Sequence, residues 1–286
     1  MALADLADYK AKLGSPFQRL GLAKQSFSNG SYQLTVWSPM DTFRDAADGA
    51  FGGFPTQAAL DKTSAIAMFQ SQFVNGAANQ WLGRCSIRRQ WLSDSIGPRY
   101  DEGTLGAVML IDRLSGSLTG AMVAGTDTTN LPTTALPRYT TGEGVHVALL
   151  LLNANGSPDC NVTLSYTNSA GTAGRTTGIV VVPNSQPAQR DFRTFGLQAG
   201  DTGVRSVQSI TFSASTGVGV NGLGILLYKP LVIMPSLNGR EYQFEPLESA
   251  RFVEVQANAC LGLIDVLFNN INEYTMSNGF LEFFEA

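Results

Sequence analysis

A single histidine is the first residue to consider for chemistry, because nucleophilic catalysis of the Ser-His-Asp kind needs a histidine as general base. His146 stands between Val145 and Val147 in an apolar run that predicts a strand. No G-x-S-x-G motif accompanies it. We therefore interpret His146 as a core or interface residue, and the sequence predicts no catalytic residue and no enzymatic activity.

A glycine motif at Gly217 to Gly222 matches G-x-G-x-x-G, which in a dinucleotide-binding fold follows a strand and opens a helix. The helix N-terminus then holds the pyrophosphate. Here the motif is followed by Leu223 to Leu227 and then by Tyr228-Lys-Pro, which predicts a strand that ends at proline. The glycines are predicted to form a turn, and no cofactor is predicted.

Acidic residues also fail to form a recognisable metal site. Asp41, Asp45 and Asp48 lie at helical spacing, but Phe43 stands where an EF-hand needs an oxygen ligand and Ala46 where it needs glycine. Acids near a helix end are favoured by the helix dipole without any ion. No metal is predicted.

Charge limits the partners. The net charge is −4, which argues against sequence-independent binding to nucleic acid, and no export signal or membrane anchor is expected. Charged residues make up 15% of the chain, below the roughly 25% of ordinary soluble domains. This shortage indicates a surface partly covered by neighbouring subunits or one solvated by neutral polar groups, and an ordinary soluble β protein with few charges is the alternative. The densest basic cluster is predicted to be a helix or turn whose tryptophans pack and whose arginines pair with acids or extend their charged ends into water: Trp81, Arg84, Arg88, Arg89 and Trp91.

The cysteines are too far apart for a zinc pattern and are odd in number, which argues against a disulfide framework. We interpret all three as reduced, buried thiols: Cys85, Cys160 and Cys260.

Residues 1–100 are predicted to be a small, partly helical extension. A proline after a serine N-cap predicts a helix from Pro39 towards Ala47. Apolar residues at helical spacing predict a second helix over Thr56 to Phe73.

Residues 101–270 are predicted to form one antiparallel β-sandwich of the jelly-roll or Greek-key kind, so the fold class is mainly β. Short apolar runs parted by turn residues, with no helical pattern between them, favour this architecture over βαβ units. The predicted strands are Leu105 to Leu114, Gly144 to Leu152, Asn161 to Thr167, Thr176 to Val182, Ser206 to Ala214, Leu223 to Lys229 and Arg251 to Phe268, the last broken at Gly262.

Two segments are candidates for contacts between subunits. The loop from Thr167 to Arg175 is predicted to be a long hairpin tip, and Arg175 is its one charged side chain. It is either an inter-subunit contact or a mobile tip. Residues 271–286 form a predicted C-terminal arm whose phenylalanines are expected to dock on the chain's own body or on a neighbour: Phe280, Phe283 and Phe284.

Four stretches resemble runs that appear in similar order in a group of tailed-bacteriophage virion structural proteins. The resemblance covers roughly residues 105 to 235 and leaves the first hundred residues and the C-terminal tail unmatched. The resemblance implies a structural, particle-associated protein without enzymatic activity. The stretches are LPRYTTGEG from Leu136, SYTNSAGTAGR from Ser165, LQAGDTGVRS from Leu197 and LLYKP from Leu226.

The function expected from this resemblance is that of an auxiliary or decoration (cement) protein on the capsid shell. Its expected partners are the major capsid protein or other virion proteins and further copies of itself in a homo-oligomer. It would be made in the host bacterial cytoplasm and end in the virion. A neck, tail or baseplate component is an alternative. A carbohydrate-binding jelly roll for host attachment is an alternative of another class, with Tyr139, Tyr228 and Tyr242 as aromatic candidates.

Overall fold

A computed structural model of the chain describes residues 18–27, 35–36, 58–64, 79–92, 105–118, 123–151, 159–182, 191–215, 223–237, 241–244, 253–267 and 274–285. These residues form strands, turns and irregular segments, and none of them is helical. The strands are β1 Gln18–Phe27, β2 Thr35–Val36, β3 Ala58–Ala59, β4 Gln80–Leu92, β5 Leu105–Leu118, β6 Gly125–Asp127, β7 His146–Leu151, β8 Cys160–Asn168, β9 Arg175–Thr176, β10 Val180–Val182, β11 Asp191–Thr194, β12 Val204–Phe212, β13 Leu223–Leu237, β14 Glu241–Phe244, β15 Val253–Val255, β16 Leu261–Leu267 and β17 Tyr274–Glu285.

These strands form three sheets. Sheet A has the order β1-β17-β4-β14, with β15 also on β4. Sheet B has the order β11-β7-β13-β5-β16-β2, with β3 on β5, and sheet C has the order β10-β8-β12-β6, with β9 on β8. The strand registers given by the structure are antiparallel, so the predicted mainly β, antiparallel fold is confirmed.

Two compact units divide the chain. Unit 1 comprises Met1–Gly49, Lys62–Asp112 and Leu231–Ala286, and unit 2 comprises Ala50–Asp61 and Arg113–Pro230. The predicted boundaries at residues 100 and 270 differ from these. In sheet A, β1 and β4 both pair with β17, so segments assigned to the extension and to the arm share one sheet. The prediction that residues 1–100, 101–270 and 271–286 are separate domains stays a prediction.

Unit 2 is sandwich-like, because side chains from sheets B and C bury one another. Along β8, every second residue from Cys160 to Asn168 is buried, as the alternation of the sequence predicts. The facing residues come from β7 and β13. Their shared core includes Val147, Leu149, Val162, Leu164, Tyr166, Val207, Ile210, Ile225 and Leu227.

Unit 1 has its own core, and the C-terminal strand supplies part of it. Leu281 and Phe283 belong to this core, and Phe284 is also buried. An added Cβ on Gly83 would lie 2.1 Å from Cε2 of Phe284, so the ring packs where only glycine leaves room. The tail therefore docks on its own body, one of the two predicted alternatives.

Several local predictions are wrong. The helix predicted over Thr56 to Phe73 fails within the described residues 58–64. There β3 pairs with β5, and Leu60 is buried while its N–H donates to Leu114 O at 2.9 Å. Tertiary pairing thus overrides a helical period. The helix predicted from Pro39 lies outside the described residues.

The basic cluster is a strand rather than a helix or turn, because β4 pairs with β17 and also with β14 and β15. The expected pairing with acid is confirmed for Arg84, whose Nε lies 2.8 Å from Oε2 of buried Glu282. Another error is the break predicted at Gly262, which lies inside β16. The chain turns earlier, where Asn258 adopts a φ of 61°.

Removing the ring of Phe283 tests how far unit 1 depends on the C-terminal strand. Because Phe283 is fully buried, Phe283→Ala should reduce the free energy of unfolding by about 3–5 kcal/mol through lost burial and a cavity. Phe280→Ala is the matched control, since Phe280 is only half-buried and should lose less. Urea unfolding measures both. Equal losses would contradict this account.

Candidate functional site

Asp201 is the centre of the first polar cluster in unit 2. Its Oδ2 accepts hydrogen bonds from the Tyr166 hydroxyl and from Arg175 Nε, the latter at 2.9 Å, and its Oδ1 accepts from Asn168 Nδ2 at 2.7 Å. The Asp201 side chain is only 4% exposed. We call Tyr166, Asn168, Arg175 and Asp201 the Asp201 cluster.

The cluster fixes the hairpin that links β8 to β9. Asn168 Oδ1 accepts from the Thr172 N–H at 2.8 Å, while the Asn168 N–H donates to Thr172 O at 3.0 Å. Gly171 and Gly174 take positive φ angles of 85° and 72°, which most side chains resist. The predicted hairpin loop is present, and side chains at both of its ends bind one carboxylate.

Electrostatics follow from this geometry. Hydrogen bonds from Arg175, and next from Tyr166, lower the pKa of Asp201 to about 2. The hydrogen bond to Asp201 raises the pKa of Arg175. Burial, followed by the hydrogen bond to Asp201, raises the pKa of Tyr166. At neutral pH the cluster is an ion pair beside a neutral phenol, and a carboxylate with so low a pKa is a poor general base.

A second set of polar side chains surrounds Glu143. Thr202 Oγ1 donates to Glu143 Oε2 at 2.6 Å and lies 2.8 Å from Ser169 Oγ. The single hydroxyl hydrogen of Thr202 goes to Glu143, so Ser169 is the donor in the second bond. Lys229 Nζ donates to Glu143 O at 2.9 Å and lies 5.5 Å from the centre of the Tyr139 ring. We call Glu143, Ser169, Thr202 and Lys229 the Glu143 bridge.

Close backbone contact joins the two groups. Gly203 pairs with Glu143 in an isolated β-bridge, and Gly144 N donates to Thr202 O at 2.8 Å. An added Cβ on Gly203 would lie 1.9 Å from Gly142 O, so the loops approach at a distance that only glycine allows.

The four stretches that carry the phage resemblance supply this site. Residues 136–144 and 226–230 provide Glu143 and Lys229, and residues 165–175 and 197–206 provide the Asp201 cluster, Ser169 and Thr202. Of the four residues predicted to contact another subunit, only Arg175 belongs to this site. Phe283 and Phe284 are buried in unit 1 and Phe280 is half-buried there. An inter-subunit role for these four residues stays a prediction.

Sequence reasoning missed Asp201. It stands in a turn between Gly200 and Gly203, and it lies 26 residues from the arginine that it binds. Its only signal was its place in one of the four stretches.

His146 lies beside this region without joining it. Its ring is half-buried and lies 5.8 Å from that of Tyr228, which is itself buried. Burial, followed by the charge of Lys229, lowers the pKa of His146. The lowered pKa favours the neutral form of His146, and the imidazole packs beside the Tyr228 ring.

Within the described residues, no group of three or more His, Cys, Asp or Glu side chains is arranged to hold a metal ion. The same residues contain no helix long and apolar enough to cross a membrane. All three cysteines are free and buried, as predicted.

Comparison with known proteins gives no family. No family model and no curated protein matches the chain. Among solved structures, the VP2 subviral particle of infectious bursal disease virus is 11% identical, over 95% of this chain and 81% of that chain, with a TM-score of 0.21. The Gt strain of the same virus is 8% identical, over 95% and 82%, also with a TM-score of 0.21. Similarities this weak carry no argument about this chain.

Acid should weaken the Asp201 cluster. The folded-state pKa lies below the usual 3.8, so the stability that Asp201 contributes is complete above pH 3.8 and is lost as pH falls towards about 2. Asp201→Asn removes that contribution. The difference in melting temperature between wild type and variant should be largest above pH 4 and shrink towards pH 2. A difference that does not change with pH would contradict the ion pair.

Gly203→Ala should destabilise unit 2, because its methyl group would overlap backbone atoms that cannot rotate away. We expect a loss of about 1–3 kcal/mol in the free energy of unfolding. Gly196→Ala is the matched control, since an added Cβ there meets no atom within 4 Å. Thermal unfolding of both variants tests this, and equal melting temperatures would refute the close approach.

Proposed function

We propose that the chain is a non-enzymatic virion structural protein of a tailed bacteriophage, an auxiliary or decoration (cement) protein that binds the capsid shell. The four stretches that resemble such proteins support the proposal. Their polar side chains bind one another across the Asp201 cluster and the Glu143 bridge. These contacts make the loops rigid for contact with a partner. The carboxylates of Asp201 and Glu143 are both occupied by hydrogen bonds within the chain.

The observation that carries the proposal is the strand order of unit 2. Along the chain, its main strands pass repeatedly between two sheets. β5, β7, β11 and β13 belong to sheet B, and β6, β8, β10 and β12 belong to sheet C. The resulting orders, β11-β7-β13-β5 and β10-β8-β12-β6, support an eight-stranded jelly roll of two Greek keys, an architecture of viral capsid and lectin domains.

The scarcity of charge supports a role inside a particle. A subunit that is covered on several sides must lose water from its surface, and neutral side chains lose water at less cost than ions. With charged residues at 15% of the chain, contacts with the major capsid protein and with further copies of this chain would require little desolvation of ions. The proposed location is the virion, assembled in the host bacterial cytoplasm.

The aromatic candidates weigh against the carbohydrate-binding alternative. A sugar platform needs an exposed ring, yet Tyr228 is only 2% exposed and Tyr139 lies half-buried under Lys229. The side chain of Tyr242 lies outside the described residues. Among the described residues, the exposed large hydrophobic side chains are aliphatic: Val123, Ile179, Val181 and Ile233.

The copy number of the chain in purified particles tests the proposal. Quantitative mass spectrometry should give a ratio to the main shell protein close to that of a lattice component. Adding the full chain to shells that lack it should then raise the temperature at which the shells disrupt, because a ligand of the intact shell stabilises it.

A low count that matches portal or tail symmetry would transfer the protein to the neck, tail or baseplate. Absence from the particle would overturn the proposed function. Gly203→Ala, added at the same concentration, is the matched control for the shell experiment, because damage to the loops should reduce the stabilisation if they form the contact.

A further inference from the structure

The outward face of sheet C carries neutral side chains, apart from Arg205 near one end of β12, whose Nε donates to Thr141 O at 2.9 Å. Opposite its buried face, β8 and β12 present mainly hydroxyl and amide groups, β6 and β9 each add a threonine, and β10 adds an exposed valine. We call this the hydroxyl face. It consists of Thr126, Asn161, Thr163, Ser165, Thr167, Thr176, Val181, Ser206, Gln208, Ser209 and Thr211.

The strand register arranges these side chains in rows across the sheet. Thr211 lies opposite both Thr126 and Thr163, and Ser165 lies opposite both Ser209 and Thr176. Thr126 and Thr211 share a hydrogen bond of 3.0 Å. Within the described part of the chain, the hydroxyls of Thr163, Ser165 and Ser209 bind no other side chain, so they remain available to a partner.

The edges of sheet C are less suited to binding than its face. The Arg193 guanidinium donates to the carbonyl of Val181 and so caps the edge at β10. The opposite edge, β6, has only three residues. Capped or very short edges are the usual means of preventing strand addition. Within sheet C, the face is therefore better suited to an interaction than the edges.

Its chemistry limits the occupant. A nucleic acid or a strongly charged protein surface would find a single cation beside the hydroxyl face, Arg205, whose Nε is already bonded to Thr141 O, and a sugar ring would find no aromatic platform there. A second hydroxyl face is complementary, because each Ser or Thr hydroxyl is both donor and acceptor. Two identical faces related by a two-fold axis therefore pair without conflict of charge.

We propose that the hydroxyl face is the site where a second copy of this chain binds, face to face about a two-fold axis. Val181 and neighbouring Ile179, both exposed, add apolar contact at one border. The opposite border is Thr126 on β6.

The size of the face determines when the contact forms. Seven residues of β8 and four strands of sheet give about 24 Å by about 14 Å, or about 350 Å² per copy. A stable protein complex buries about 800 Å² per partner. The contact is therefore weak between free chains and strong at the local concentration of a particle surface, so the inference rests on the proposed function.

Single cysteines on the hydroxyl face test the contact. The native cysteines are buried, so an introduced thiol is the reactive one in Thr163→Cys, Ser165→Cys or Ser209→Cys. Each full-length variant is mixed with particles and treated with a short bis-maleimide. At least one variant should yield covalent dimer more than tenfold faster than Ala135→Cys, the control at an exposed position outside the face. Adding Thr211→Lys should abolish the difference, because like charges would meet across the axis.

The outcomes separate this inference from the proposed function. Incorporation into particles with no more dimer than Ala135→Cys gives would overturn the two-fold contact and leave the proposed function standing. Absence from particles would overturn the proposed function, and the same crosslinking in concentrated free protein would then decide the contact by itself. Retention on immobilised host polysaccharide that Thr211→Lys removes, with crosslinking equal to the control, would assign the face to a glycan and overturn the proposal.

Discussion

The carboxylate of Asp201 is the group on which the loops of unit 2 depend. A nearly buried charge is expensive unless donors surround it, and here three side chains from the β8–β9 hairpin provide those donors. The hairpin and the turn before β12 are thereby fixed to each other. The Glu143 bridge continues this network through Ser169 and Thr202. One carboxylate therefore links loops that a β-bridge and backbone hydrogen bonds also hold together.

The sequence predicted the parts of this fold that local patterning controls. Alternation in Asn161 to Thr167 located β8, and the apolar run from Leu223 located β13. The predicted stop at Pro230 was wrong, because β13 runs on to Leu237. Pairing of β13 with β7 ends at Tyr228, so the missing N–H of Pro230 interrupts no bond of that ladder. Patterning located the start of the strand but not its end.

The long-range strand pairing and the candidate site could not be predicted from the sequence, for a related reason. Nothing local indicates that β1 and β4 pair with β17, or that Arg175 selects Asp201 among the acids of the chain. Polar residues in turns have no periodicity, so an ion pair between two loops leaves no pattern in one sequence. All four stretches quoted for the resemblance to phage structural proteins contribute to these contacts. The resemblance did not indicate which atoms meet.

Charge has opposite roles in the two surfaces of unit 2. In the loops, Arg175, Asp201, Glu143 and Lys229 bind groups of their own chain. On the hydroxyl face, the strands present neutral groups that water solvates and a similar surface can replace. Ions used internally add rigidity without requiring a charged partner, and neutral strands remain easy to desolvate. A subunit that must stay soluble before assembly and bind closely packed neighbours afterwards benefits from this separation, because solubility then depends on hydroxyl groups whose hydrogen bonds a second copy can replace.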